Sequence, residues 1–502
     1  MPTNNATVFN AAGPSIGSSN IGISSGQYIG IDSPLTAFGE VSTAQSRPFI
    51  QATAAYNLIP ANFREYTSGT GTTGAASNMF QVTTGTGGAG SYGTIQSFRA
   101  INYKAGEGGM ARFTGLFTTG VANSWQGVGL FTIADELSFG YNGTDFGVWH
   151  RSHGASEIRT VQVTGAAGGS ENLTLTLNGT GYTIPLTTGT VQHNAHEIEE
   201  WLNANQSVWH AQQVDDTVTV TALSDSAKSG AYTFSSATAT GSLAQVTAGV
   251  AKTSTHIAQG SWNGTTPSGF DPTKGNVYQI KFQYLGFGNI EYYIEDPDTG
   301  RFVKCHTIKY AGANTTTSLS NPSMHIGLYA VSLGSTTDLT VKSGSLAGFV
   351  EGFEGRTRNP RAEEFTQTIG TSAYTNILTI RNTRHYGGLI NQQEITPDYL
   401  ILSNEAAKNC EIEVRGNATP GGDTDFQNIG TNLLADIDTS AVTMTGGRFL
   451  FGASIAGGDS VTIDLTKLRI RIPPTLKLSV SGKLTSGASA PVTATLIWYE
   501  DL

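Results

Sequence analysis

Along most of the chain, apolar residues come in short runs with a period of two, broken by Gly, Asn, Asp, Ser and Thr. From about residue 95 the runs ARFTGLF (111–117), VGLFTI (128–133), LSFG (137–140) and FGVWH (146–150) follow one another closely. Aromatic and β-branched residues at this spacing predict short strands of a sandwich or barrel. Asn142-Gly143, in YNGT, tolerates positive φ and predicts a tight hairpin. The pattern resumes at 277–285, where Tyr278, Ile280, Phe282 and Tyr284 alternate with Gln279, Lys281 and Gln283. NIEYYIE and RFVKCHTIKY bracket the turn DPDTG (296–300), and MHIGLYAV (324–331) and LTVKSGSLAGFV (339–350) continue the strands.

Residues 157–254 read differently. Leu173, Leu175 and Leu177 alternate with Asn172, Thr174 and Thr176, and Val218, Val220 and Ala222 alternate with Thr217, Thr219 and Thr221. Between these strands, HNAHEIEEWLNAN (193–205) has helical spacing, with Asn194 and Glu197 as capping pair and Ala195, Ile198, Trp201 and Leu202 as the buried stripe. Strand–helix–strand in this space predicts a small α+β domain. Beyond EGFEGRTRNP (351–360), a linker by composition, ILTI (377–380), DYLILS (398–403), CEIEVRG (410–416), RFLF (448–451), VTIDL (461–465), LKLSVSG (476–482) and VTATLIWYE (492–500) predict a second sandwich of about seven strands.

The fold class predicted is therefore mainly β: jelly-roll or β-sandwich domains, one small inserted α+β domain and an extended N-terminal arm. The boundaries are 1–94 for a Gly/Ser/Thr-rich arm and anchor, 95–156 plus 255–352 for a split sandwich, 157–254 for the insertion, and 353–502 for the linker and C-terminal sandwich. Within the arm, 1–60 carries only isolated apolar groups such as Val8, Phe9, Ile16, Ile21 and Ile23. Such a segment is expected to order only against a partner.

Composition narrows the functional classes. Charged residues are 13% of the chain, about half the usual ~25%. The formal net charge is −10, and the closest cationic cluster noted is Arg356, Arg358 and Arg361, in the linker and read as a solvated hinge. Nucleic acid is not an expected partner, since a phosphate-binding face needs clustered cations. The two cysteines, Cys305 and Cys410, fall in different domains and form neither a disulfide framework nor a zinc site. The first basic residue is Arg47 and no run of 18 apolar residues exists, so neither a signal peptide nor membrane insertion is expected.

Each chemical motif has a plainer reading. Gly22-Ile23-Ser24-Ser25-Gly26 matches G-x-S-x-G without the strand and helix a nucleophile elbow needs. His193 and His196, with Glu197 and Glu200, lack the second His of H-E-x-x-H and read as a polar helix face; His150 and His153 read as surface or loop histidines. Asp296, Asp298 and Gly300 suit a hairpin turn better than a calcium loop, because Arg301 and Phe302 follow. Glu291 and Glu295 share a strand face, as carboxylate pairs on β surfaces often do. Eight N-x-S/T sequons occur, at Asn5, Asn142, Asn172, Asn178, Asn205, Asn263, Asn314 and Asn417, a number that a chain rich in Thr and Asn produces by chance. No catalytic, cofactor-binding or metal residue is predicted, the binding residues are left open, and no cofactor or enzymatic turnover is expected.

RFTGLFTTGVANSWQGVGLFTIADELSFGYNGTDFGVWHRSHGASEIR (112–159) and GNVYQIKFQYLGFGNIEYYIEDPDTGRFVKCHTIKY (275–310) resemble structural proteins of tailed phages and large marine viruses with a concanavalin-like jelly-roll core. The insertion is similar to small α+β modules of phage tail proteins, and VTATLIWYED to sandwiches that close many virion proteins. The resemblance covers about 350 residues and carries over no site residue. It implies a virion structural protein: a fibre, spike or capsid-decorating appendage, trimeric, assembled in the host cytoplasm and contributing to host attachment. Its expected partners are further copies of itself, other virion proteins through the arm, and a host-surface glycan or protein. The alternatives are a cell-surface lectin or adhesin and a virion polysaccharide depolymerase.

Overall fold

The computed structural model describes residues 21–24, 28–31, 46–60, 62–352, 359–422, 424–430 and 433–500. Among them the chain is nearly all β, and every strand ladder is antiparallel. The first sandwich packs a seven-stranded sheet against a nine-stranded one. The seven-stranded sheet runs, edge to edge, Thr253–Ala258, Asp145–Ser152, Glu136–Asn142, Ser124–Phe131, His325–Ser332, Tyr92–Ala100 and Phe63–Ser68. The facing sheet is centred on Gly108–Phe117, which pairs with Asn276–Phe282 on one side and with Thr340–Ser343 and Ser345–Glu351 on the other.

The period-two pattern explains this packing. Phe113 and Phe117 meet Phe139, Phe146 and Tyr278 between the sheets. Tyr278 and Phe139 approach to 4.6 Å between ring centroids. Tyr284 packs at the edge of the core, just beyond the strand Asn276–Phe282. On the other face of the seven-stranded sheet, glycines let rings lie flat. A Cβ at Gly127 would fall 2.5 Å from the Tyr329 ring, and one at Gly140 would fall 1.8 Å from the Gln126 carbonyl oxygen. Over this layer Arg151 stacks 3.7 Å from the Trp149 ring centroid and pairs with buried Glu136 at 2.9 Å. The Glu136 carboxylate also accepts the Tyr329 hydroxyl at 2.7 Å.

The N-terminal boundary read from composition is corrected by the pairing. Residues 46–94 are not arm. Ser46–Thr53 pairs with Ser345–Glu351, Phe63–Ser68 with Tyr92–Ala100, and Thr72–Ala76 and Met79–Thr83 extend the nine-stranded sheet. Their Gly and Thr content masked a strand pattern in which Ile50, Phe63, Phe80 and Val82 reach the core. Ile21–Ser24 forms a hairpin with Tyr28–Ile31, so the G-x-S-x-G match begins inside a hairpin strand; Ser25 and Gly26 lie outside the described residues. So do the Asn5 sequon, Val8, Phe9 and Ile16, and Arg356 and Arg358 of the linker. Arg361 is not in a hinge but in the strand Asn359–Ile369, opposite Trp498.

Residues 158–247 make a four-stranded and a three-stranded sheet with the helix Val191–Asn205 and a core of their own. The helix starts earlier than its pattern suggested. Thr190 is the N-cap, its side chain accepting from the His193 amide, while Asn194 turns inward and donates to the Thr187 carbonyl at 2.8 Å. Ala195, Ile198 and Leu202 are buried in that core, with Trp201 at its edge. Residues 359–500 form a four-stranded sheet over a six-stranded one around Trp498, Leu400, Ile412 and Val480. Cys305 and Cys410 are free and fully buried in separate cores, and burial pushes their thiols up to about 12 and about 11.

Because the atom facing Gly140 is backbone and cannot swing aside, Gly140→Ala is expected to destabilise the first sandwich by about 1–3 kcal/mol. A calorimetric scan resolving the sandwich transition measures this, and an unchanged transition would contradict the packing described.

Candidate functional site at the domain junction

A deeply buried arginine lies where the insertion meets the C-terminal sandwich. Arg381 sits at the end of the strand Thr375–Asn382 and is 2% exposed. Its Nη1 donates to both carboxylate oxygens of Glu199, at 2.9 and 3.2 Å, and its Nη2 donates to Asp436 at 3.1 Å and to the Gln213 carbonyl. The guanidinium stacks 3.8 Å from the Phe426 ring centroid. Glu199 comes from the insertion helix, whereas Asp436 and Phe426 come from two short strands at the edge of the C-terminal sheet.

Neighbouring amides fasten the same seam. Gln212 donates to Asp436 at 3.1 Å and accepts the Arg384 amide at 2.7 Å, while Gln213 donates to Asp425 at 2.9 Å. The Asp215 amide donates to the Phe426 carbonyl at 3.0 Å, and Thr221 bonds His385. The first sandwich grips the same segment of the C-terminal domain. Arg99 pairs with Glu394 at 2.9 Å, His325 bonds Gln392, and Arg64 donates to the Pro474 carbonyl at 2.7 Å. Residues 381–394 thus touch both other domains.

The electrostatics follow from burial against pairing. Burial alone would raise the Glu199 carboxyl, but Arg381, the nearby His196 and the charge of Lys477 hold it well below the ordinary range. At His196 burial opposes the charge, but the carboxylates of Glu199 and Glu200, 3.8 and 3.4 Å away, prevail and push it up to about 9. Asp436 goes the other way: its burial outweighs Arg381, and its carboxyl is raised. His385, lacking a carboxylate, is pushed down to about 3 by burial and by Arg384. Arg381 gives Glu199 two hydrogen bonds and Asp436 one.

The residues singled out by pattern fall elsewhere. His150 and His153, read as surface or loop histidines, converge instead: their Nε2 atoms reach the Ser318 and Thr317 carbonyls, each at 2.7 Å, and pin one loop. Asp135 secures that loop by accepting the Ser320 and Asn321 amides. His193 bonds Thr187 and Glu197, while His196 is not on a solvated face but is buried beside Glu199. Asp296 closes its hairpin by accepting from the Asp298 amide at 3.0 Å and the Thr299 hydroxyl at 2.9 Å. Glu291 pairs with Lys304 at 2.9 Å, and Glu295 lies in register with Phe302. Among the described residues, no three His, Cys, Asp or Glu gather as they would around a metal ion, and no helix is long and apolar enough to cross a membrane.

Pattern reading missed Glu199, Arg381 and Asp436. Glu199 was legible, since it lies one turn from Ala195 and Leu202 and so falls on the buried side of the helix. Asp436 was not: Phe426–Asn428 and Ala435–Asp438 are too short to show a period.

No family model matches the chain, and no curated protein matches it. Among solved structures, the chain is similar to infectious bursal disease virus, Gx strain, with 8% identity, a TM-score of 0.16, and coverage of 80% of this chain and 79% of that one. It is also similar to Sulfolobus Turreted Icosahedral Virus, with 8% identity, a TM-score of 0.15, and coverage of 88% of this chain and 92% of that one. Superpositions this loose carry no argument about fold or role.

Two expectations follow from the seam. Arg381→Met leaves Glu199 and Asp436 buried without their cation and should cost about 3–5 kcal/mol. Limited proteolysis should then release the insertion faster than in the parent protein; equal rates would show that the seam does not hold it. The second expectation concerns pH. His196, at about 9 against its ordinary 6.5, contributes stability that is complete below pH 6.5 and lost as pH rises through 9. Glu199 contributes in the opposite sense, above its ordinary 4.5, and that part is lost only as pH falls through its depressed value. Denaturant unfolding should therefore lose about 1–3 kcal/mol between pH 6.5 and 9, and His196→Gln should flatten that slope.

Proposed function

We propose that the chain is a non-enzymatic structural protein of a virus particle, a fibre, spike or capsid-decorating appendage that self-associates as a trimer. The observation that carries this reading is where buried charge goes. Arg381 with Glu199 and Asp436 fastens two β domains to one another, and the buried carboxylate of Glu394 ties in the first sandwich through Arg99. Side chains fixed this way suit a part that bears load between neighbours. The resemblance of 112–159 and 275–310 to phage and marine-virus structural proteins points the same way, and those segments supply both sheets of the first sandwich.

In this reading the N-terminal segment joins other virion proteins, and the sandwiches and insertion face the host. Since Ser46–Thr53 is a strand of the first sandwich, the segment available for anchoring ends at 45 rather than 60. Deleting 1–45 should leave a folded protein that no longer enters particles, scored by antibody labelling of purified particles. Incorporation at normal copy number would overturn the anchor. Light scattering should give three chains, against 52.7 kDa for one, and a monomer at every concentration would overturn the trimer.

A further inference from the structure

A cleft of about 800 Å³ opens between the first sandwich and the C-terminal sandwich. One wall is Phe49–Ala52 with Ser97–Arg99; the other is Leu468–Pro473 with Gly447, Arg448 and Lys477. Five cationic residues line it, Arg99, Arg448, Arg469, Arg471 and Lys477, and among the described residues no aspartate or glutamate does. In a chain with 38 acidic and 28 basic residues, this is a reversal of the overall balance. The cations are not equally engaged. Arg99 is answered by Glu394, and Arg471 donates to the Thr396 hydroxyl. Arg448 and Arg469 meet no carboxylate among the described residues, and both are exposed.

Arg469 carries a second, independent mark. It ends the turn Thr466–Leu468 at φ 51 and ψ 35, the left-handed region that favours glycine. Backbone strain of this kind collects at functional positions, and here it falls on a cation lining the cleft. The local sequence, Lys467-Leu468-Arg469-Ile470-Arg471, spaces its three cations more tightly than the linker cluster Arg356, Arg358 and Arg361. The earlier expectation that the linker held the closest cationic cluster is corrected by this segment.

We propose that this cleft binds a short stretch of an acidic glycan, carboxylated or sulfated. The proposal deepens the attachment role above and rests on it. Guanidinium forks match carboxylate and sulfate oxygens in pairs, and apolar walls suit the faces of sugar rings. The volume falls within the ~300–1,000 Å³ usual for small-ligand sites, room for a few sugars. A chain of net charge −10 repels a polyanion with a charge every ~1.7 Å, as in duplex DNA, more than a glycan charged once per sugar or two.

The test is calorimetric titration of the full chain with heparin-derived tetrasaccharide, oligogalacturonate, neutral maltotetraose, a single-stranded oligonucleotide and an oligoglutamate peptide. At least one acidic oligosaccharide should bind, more weakly at higher salt, and maltotetraose should not. Which of the two binds separates a sulfated from a carboxylated source. Arg448→Gln with Arg469→Gly should weaken binding at least tenfold. Because glycine relieves the positive φ, Arg469→Gly alone should leave the melting temperature unchanged or raise it while weakening binding, a combination that loss of fold cannot produce. Failure of both acidic glycans to bind, unchanged affinity in the double variant, or preference for the oligonucleotide or peptide would overturn the proposal. Particle incorporation of the same variants is scored separately. Normal incorporation without glycan binding by the parent chain sinks the cleft and leaves the structural role standing, whereas absence of the parent chain from particles sinks the role on which it rests.

Discussion

One guanidinium sets the architecture beyond the individual sandwiches. Arg381 is 2% exposed and lies between Glu199 of the insertion and Asp436 of its own domain, over the Phe426 ring. A buried ion pair adds little net stability, because desolvation opposes the Coulomb gain. Its effect is on geometry: any other docking of the two domains would part Glu199 from Arg381 and leave that carboxylate without its strongest cation. The hydrophobic cores hold each domain together, and this polar seam selects how two of them meet.

How much of this was legible depends on period. Where a strand is long and half-buried, alternation located it, as with Leu173, Leu175 and Leu177, all fully buried. Where composition replaced pattern, the reading failed. Residues 46–94 looked like an arm because Gly and Thr dominate them, yet Phe63, Phe80 and Val82 are core. Sparse apolar residues suffice for a strand whose neighbours supply the rest of the core, and a window over one segment cannot see those neighbours.

The polar seam was hidden for a related reason. Charged residues are expected at the surface, and nothing local marks Arg381 or Asp436 as buried. Their burial is a property of two surfaces that meet only after both domains have folded. The histidines show the same limit. His150 and His153 converge because the loop at 317–320 lies across both, a contact more than 160 residues distant in sequence. Long-range pairing of this kind separates what periodicity reveals, which is each domain's own core, from what it cannot reveal, which is every contact between elements far apart in the chain.

The seam and the cleft share a strand pair. Lys477, which lines the cleft, is the register partner of Arg381, and both cations approach the Phe426 ring, at 5.4 and 3.8 Å from its centroid. Two like charges in direct register repel. At Lys477 burial and the nearness of Arg381 both disfavour the charged ammonium, so it sits below its ordinary range despite the pull of Glu199. Its ammonium lies with Arg381 over Phe426, on the seam side, where Glu199, Glu200 and Asp438 pull the other way. Lys477 therefore joins the two features: its residue lines the cleft, while its charge answers to the seam.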